Sequence, residues 1–335
     1  MTAAYKPKVA FIGTGGTVSS IGTSSLDIQD YGAQDKRMHA SQIVARFPEM
    51  LEVAELIPVD FRNLPSSAVY FPEWKELAAI CTRLRAETPD LAGIVIGHGT
   101  ATIEETAYFL NLTLKLDIPV VIVGSQRPAS ALSSDSGMNL VNAIRTAGSP
   151  ASRGRGVLVV LNDEIQAARE VTKTSNWRLQ TFRTPDFGVL GHADGDKIAY
   201  YRRPERLHAP NTEFDISGID ALPRVDIVYA YAGADGTAVR AFVAAGAKGI
   251  VVAGFAPGSP APADLIALAE AAENGVTVVQ SSRAGSGRIF RSKRLVDAGI
   301  LAGDNLNPQK ARILLALALT VTSDSVEIAR MFSIY

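Results

Sequence analysis

The 335-residue sequence has one cysteine, Cys81, so no intrachain disulfide can form. Cys81 falls in the helix-like stretch Trp74–Leu84, where a buried small hydrophobe is expected rather than a reactive thiol. No apolar run approaches the ~20 residues that a membrane-spanning helix needs. Positive charge is not in excess either: Lys and Arg total 33 against 34 Asp and Glu, with no basic block, which removes the electrostatic case for nucleic acid. The segment Met1 to Lys8 lacks the charged start and apolar stretch of a secretion signal, so a cytoplasmic location is expected. Neither a GxGxxG spacing nor the Lys-Ser/Thr of a P-loop is present, which leaves nucleotide binding a distant reading.

What the chain does have is a hydrophobic content of 47% and a length that suggests two domains. Val9 to Ile12 reads as a strand buried on both faces, breaking into Gly13-Thr14-Gly15-Gly16-Thr17. Three glycines permit sharp turning and close backbone approach. In open α/β folds, ligands bind where such strands end. The two threonines of the turn are candidates for a nucleophile and its neighbour, although a phosphate-binding or purely structural glycine turn explains the motif alone.

The pattern then repeats. Residues 20–35 form a Gly/Ser/Thr/Asp-rich loop whose one aromatic, Tyr31, sits where a lid would. Val53 to Val59 reads as a second strand, followed by the polar turn Asn63-Leu64-Pro65-Ser66-Ser67. Pro72 to Arg85 has helical periodicity with Pro in its first turn. Leu91 to Ile96 is a third buried strand ending in Gly97-His98-Gly99-Thr100-Ala101-Thr102, with a helix from Ile103. Glu104 and Glu105 suit the positive end of that helix, a capping role preferred over acid–base work. His98 is either a base or a hydrogen-bonding member of the turn. Further strands are expected at 119–124 and 156–161, and Lys173 reads alone as a solvated charge. Phe187 to Tyr201 suggests an antiparallel excursion.

Three prolines in 204–224 mark a linker. Strands at 225–231, 249–252 and 276–280 then alternate with helices. The expected class is α/β: a larger N-terminal domain (1–203) with a mostly parallel sheet flanked by helices, and a smaller C-terminal α/β domain (225–335).

The whole chain resembles the bacterial-type L-asparaginase/glutaminase family of threonine amidohydrolases. The resemblance rests on an ordered set of motifs: Thr14-Gly15-Gly16-Thr17, His98-Gly99-Thr100 with Thr102 to Ala107, Val123-Gly124 with Arg127-Pro128, Val171-Thr172-Lys173-Thr174, Ser281-Ser282-Arg283 and Leu306 to Arg312. It implies a nucleophile at Thr14, a loop tyrosine at Tyr31, a second threonine at Thr100 served by Lys173, and substrate-binding positions at Ser66 and Ser67 together with Gly99 and Ala101. It further implies acyl transfer through an acyl-threonine without metal or organic cofactor, on a small-molecule carboxylic acid derivative. The implied assembly is a homotetramer, a dimer of dimers with sites completed across subunits; neither nucleic acid nor membrane is an expected partner.

The chain departs from the family at the position of an aspartate that pairs with the substrate's α-ammonium, where it has Ala101. Ser67 stands where Gln is common, and Gly254 to Gly258 and Gly285 to Arg291 replace segments that serve the same end of the substrate. The expectation is a hydrolase of an amide, imide, lactam, lactone or ester lacking a free α-amino group. The alternatives are a true L-asparaginase in which Asp27 or Asp30 supplies the missing carboxylate, and a non-catalytic binding protein of the same fold.

Overall fold

Val9, Ala10, Phe11 and Ile12 have no solvent exposure, because their strand, β1 (Lys8–Gly15), lies inside a sheet covered on both faces. A computed structural model of the chain describes residues 6–33 and 36–335, and divides it into two compact units, one through Thr212 and one from Glu213.

In the first unit, β1 is followed by α1 (Ala40–Arg46), α2 (Met50–Val53), β2 (Glu55–Leu64), α3 (Phe71–Glu87), β3 (Leu91–Gly97), α4 (Ile103–Thr113), β4 (Val120–Val123), α5 (Ser136–Gly148) and β5 (Val157–Leu161). β6 (Glu164–Ala167), β7 (Thr172–Lys173), β8 (Phe182–Arg183), β9 (Gly191–Ala193) and β10 (Ile198–Tyr200) complete it. Eight strands form one sheet in the order β10-β9-β6-β5-β4-β3-β1-β2. From β5 to β2 all neighbours are parallel, whereas β6, β9 and β10 extend the sheet antiparallel. The expected excursion around 187–201 is thus the β9–β10 pair. β7 and β8 form a separate two-stranded ladder.

Helix α5 packs on one face, where Leu140, Ala143, Ile144 and Ala147 join Val9, Phe11, Val95, Val121 and Leu158 in a continuous core. Full burial of each large aliphatic side chain contributes about 1.5–3 kcal/mol. On α3, Cys81 is fully buried and desolvation pushes its thiol up to about 12, so it is an inert core residue.

The second unit has a four-stranded sheet of β11 (Val225–Tyr229), β12 (Gly249–Gly254), β13 (Thr277–Ser282) and β14 (Leu301–Ala302), all parallel. The helices are α6 (Thr237–Ala244), α7 (Pro262–Glu273), α8 (Lys293–Asp297), α9 (Pro308–Val321) and α10 (Ser325–Ile334). Asn307 caps α9 by accepting from the Lys310 N–H at 3.1 Å, with Pro308 in the first turn, which gives the Asn307-Pro308 motif a structural role. The sequence reading missed α8 and β14, which are short and lack a periodic signal. Among the described residues no helix is long and apolar enough to cross a membrane.

Candidate active site

Three loops leave the same edge of the parallel sheet, after β1, β2 and β3, and glycine lets them meet. Gly16 has φ +79°, and a Cβ there would overlap the Gly99 backbone; one on Gly99 would press on Ser66 at 2.7 Å. The Thr102 hydroxyl ties the third loop to the second by donating to the Ser66 carbonyl at 2.7 Å. Around this junction lies a cavity of about 320 Å³, lined by Gly16, Thr17, Tyr31, Ser66, Thr100 and Lys173, with Arg37, Ser67, Gly99 and Ala101 also on its wall. That volume is enough for a small ligand.

The first turn does not bring Thr14, the expected nucleophile, to the cavity. Thr14 is 1% exposed, and its hydroxyl donates to the Gly97 carbonyl at 2.9 Å, across to the end of β3. The strand does not end at Ile12, as the sequence suggested, but runs through Gly15. Thr14 is therefore a strand residue with an interior side chain, and its hydroxyl is spent on the fold. The chain reverses at Gly15 (φ +104°) and Gly16, and the next residue, Thr17, opens a short 3₁₀ turn facing the cavity. The Gly16 carbonyl is turned back to accept from Ser19 Oγ at 2.8 Å and Ser20 Oγ at 2.9 Å, which locks that turn. Thr17 Oγ1 lies 2.9 Å from the Tyr31 hydroxyl. Of the residues expected at the site, Tyr31 is thus brought to the threonine turn, but to Thr17.

The second turn places Thr100 with Lys173. Lys173 Nζ is 2.9 Å from Thr100 Oγ1 and 6.0 Å from the centre of the Phe182 ring on β8. Its amine is half-buried, and that desolvation lowers its pKa below the ordinary lysine value; the negative charge of Glu104 opposes the shift. The sequence could not distinguish this lysine from a solvated one, because its surroundings come from α4 and from the β7–β8 ladder. His98, the other candidate base, does not face the cavity. It is fully buried, with Nδ1 2.8 Å from the Gly99 carbonyl and Nε2 3.0 Å from Thr106 Oγ1. A carbonyl can only accept, so Nδ1 carries the proton and Nε2 accepts from Thr106, which in turn accepts from the Trp74 indole at 2.8 Å. Burial lowers the His98 pKa to about 4, keeping the ring neutral as a brace for the turn.

Ser66 is buried at the junction, Ser67 is on the exposed rim, and Ala101 is exposed at the cavity wall. The charged side chains among the described lining residues, Arg37 and Lys173, are both basic. Asp27 is turned onto its own loop, accepting from the Thr23 and Asp30 backbone N–H groups at 3.0 Å each; neither it nor Asp30 lines the cavity. Within the second unit, Arg283, from the Ser281-Ser282-Arg283 motif, stacks 4.5 Å over the ring of Phe255, which lies in a segment that departs from the family pattern. Among the described residues no group of three or more His, Cys, Asp or Glu is placed to hold a metal ion.

Two threonines thus face the cavity of an α/β sheet, one with its hydroxyl against that of a tyrosine and one bonded to a partly desolvated lysine. The sequence matches the family described as "Asparaginase, N-terminal" over residues 8–206 and "Glutaminase/Asparaginase C-terminal domain" over residues 224–332. It is 41% identical to the "Probable L-asparaginase periplasmic" of Haemophilus influenzae, over 98% of this chain and 93% of that one. It is 40% identical to the "Glutaminase-asparaginase" of Pseudomonas fluorescens biotype A, over 97% and 89% of the two chains. The structure superposes on that of the "Probable Cytoplasmic L-asparaginase" of Campylobacter jejuni with a TM-score of 0.94, at 38% identity, covering 98% of this chain and 100% of the other. The chain belongs to the bacterial-type asparaginase family and is a hydrolase of that family.

Proposed function

We propose that the protein hydrolyses an amide, or a related imide, lactam, lactone or ester, by acyl transfer to Thr17. The observation that carries this reading is the position of Thr17, on the cavity wall with its hydroxyl 2.9 Å from that of Tyr31. A threonine hydroxyl is weakly nucleophilic at its free pKa and needs a partner to take its proton. Tyr31 takes that proton from Thr17 as it passes its own phenolic proton to the leaving nitrogen or oxygen, whose bond to the acyl carbon breaks as the Thr17 ester forms. In the second half-reaction Thr100, with Lys173 as its base, activates water. Lys173 accepts a proton only when neutral, and burial makes the neutral form more accessible. Backbone N–H groups of the glycine turns are the candidate oxyanion donors, a contact worth about 2.7–4 kcal/mol per donor in acyl-transfer enzymes.

The preferred substrate is one without a free α-amino group. An ammonium brought into this cavity meets Ala101 and two basic side chains, and a buried charge without a partner costs several kcal/mol. A second reading, a true L-asparaginase, is favoured by the names of the relatives at about 40% identity. The two readings separate in the turnover of L-asparagine, L-glutamine, succinamate, a cyclic imide and a γ-lactone by wild type and Thr17→Ala. Thr17-dependent turnover of succinamate well above that of L-asparagine is expected; selective turnover of L-asparagine overturns the substrate assignment. Ala101→Asp is expected to raise the preference for L-asparagine over succinamate by about tenfold or more, the scale of one new ion pair. We also propose a homotetramer, which light scattering on the purified protein tests.

A further inference from the structure

Glu104 is a buried carboxylate that the chemistry above leaves unused. It is 5% exposed in the first turn of α4, where the sequence suggested a helix-capping role. Its contacts are of another kind. Oε1 accepts from the backbone N–H of Lys173 at 3.2 Å and from the Thr172 hydroxyl at 3.3 Å. Both donors belong to β7, a strand of two residues paired only with β8, and so short a ladder is weak on its own. The segment from Thr100 to Glu104 therefore grips Lys173 at both ends: Thr100 holds Nζ at 2.9 Å, and Glu104 holds the backbone N–H.

We propose that Glu104 is a positioning residue, which fixes the main chain of Lys173 so that its amine reaches Thr100 and supplies there the negative charge that Ala101 cannot. This rests on the reading of Lys173 as the base for Thr100. The groups facing Lys173 come from several elements. Glu104 lies on α4, and Arg37 and Tyr31 share the cavity wall. The uncharged Phe182 ring lies on β8, next to Arg183, which sits 3.8 Å from Glu164. Glu104 is the carboxylate whose charge acts on Lys173, opposing the effect of burial.

The position and the charge are separable. Glu104→Gln keeps an oxygen acceptor for the two donors and removes the charge, whereas Glu104→Ala removes both. Competitive acetylation of Lys173 with acetic anhydride across a pH series, read by peptide mass spectrometry, reports its titration without any substrate. In Glu104→Gln the titration is expected to move down by about one pH unit. The rising limb of kcat/KM for the best substrate of the panel is expected to move with it, and plateau kcat to stay within about threefold of wild type. Glu104→Ala is expected to lower kcat by about tenfold or more with KM little changed, and Glu104→Asp to recover part of the loss. An unchanged Lys173 titration in Glu104→Gln, in a protein that melts like wild type, overturns the proposal. The labelling reads the coupling even where no amide in the panel is turned over, so failure of the functional reading is distinguishable from failure of this one.

Discussion

Two neighbouring strands, β1 and β3, end in Gly/Thr turns of nearly the same composition, and the two turns spend their threonines in opposite order. After β1 the first threonine, Thr14, is buried and bonded to the Gly97 carbonyl, and the second, Thr17, faces the cavity. After β3 the first threonine, Thr100, faces the cavity with Lys173, and the second, Thr102, is spent on the Ser66 carbonyl. The bracing differs as well. The β1 turn is braced by serine hydroxyls on the Gly16 carbonyl, the β3 turn by an imidazole buried beneath it. A motif therefore names the residue types, while the point at which the strand gives way to the turn decides which hydroxyl is available for chemistry.

Removing the hydroxyl that each turn presents or hides separates the two turns most sharply. Thr17→Ala is expected to lower kcat/KM by about a thousandfold or more, the scale of losing an activated nucleophile. The steady-state rate on the best substrate of the panel measures it, and a loss of less than about tenfold contradicts the role given to Thr17.

The His98 brace predicts an acid sensitivity seated in the second turn. Its folded pKa is about 4, below the ordinary value of 6.5, so the unfolded chain takes up a proton before the native one does. The stability contributed by neutral His98 is present above pH ~6.5 and is lost as pH falls toward ~4, up to about 3 kcal/mol at ~1.4 kcal/mol per pH unit. Urea midpoints over that range, compared between wild type and His98→Gln, are expected to show a steeper acid loss in wild type. Equal slopes contradict a neutral, buried His98.

The smallest expected effect is on the hidden threonine. Thr14→Val keeps the shape and removes the hydroxyl's bond to the Gly97 carbonyl, which costs about 0.5–1.5 kcal/mol of stability. The expected readout is a lowered melting temperature, with kcat per folded molecule close to that of wild type.

Much of the fold was legible in the sequence because buried parallel strands are short continuous apolar runs and their turns are marked by glycine. Val9 to Ile12, Leu91 to Ile96 and Val225 to Tyr229 all carried that signal. The grouping of Tyr31, Ser66, Thr100 and Lys173 followed from a family resemblance, not from local pattern, since residues so far apart in sequence meet only in the folded chain. The choice between Thr14 and Thr17 was not legible, because it depends on the strand continuing three residues past the last aliphatic and then reversing through two left-handed glycines. Glu104 was read as a helix cap because its partners on β7 lie about 70 residues further along the chain.

The proposed acyl carrier is Thr17 and not Thr14, and the residue that receives an acyl group decides between them. Mono-4-nitrophenyl succinate offers an activated acyl group with no α-amino function; its transfer to a threonine forms an ester and releases 4-nitrophenolate. Rapid acid quench and peptide mass spectrometry then locate the added succinyl group. An adduct on Thr17 that forms in the Thr14→Val variant and is absent from the Thr17→Ala variant is the predicted result. An adduct on Thr14, or one that survives the loss of Thr17, contradicts it.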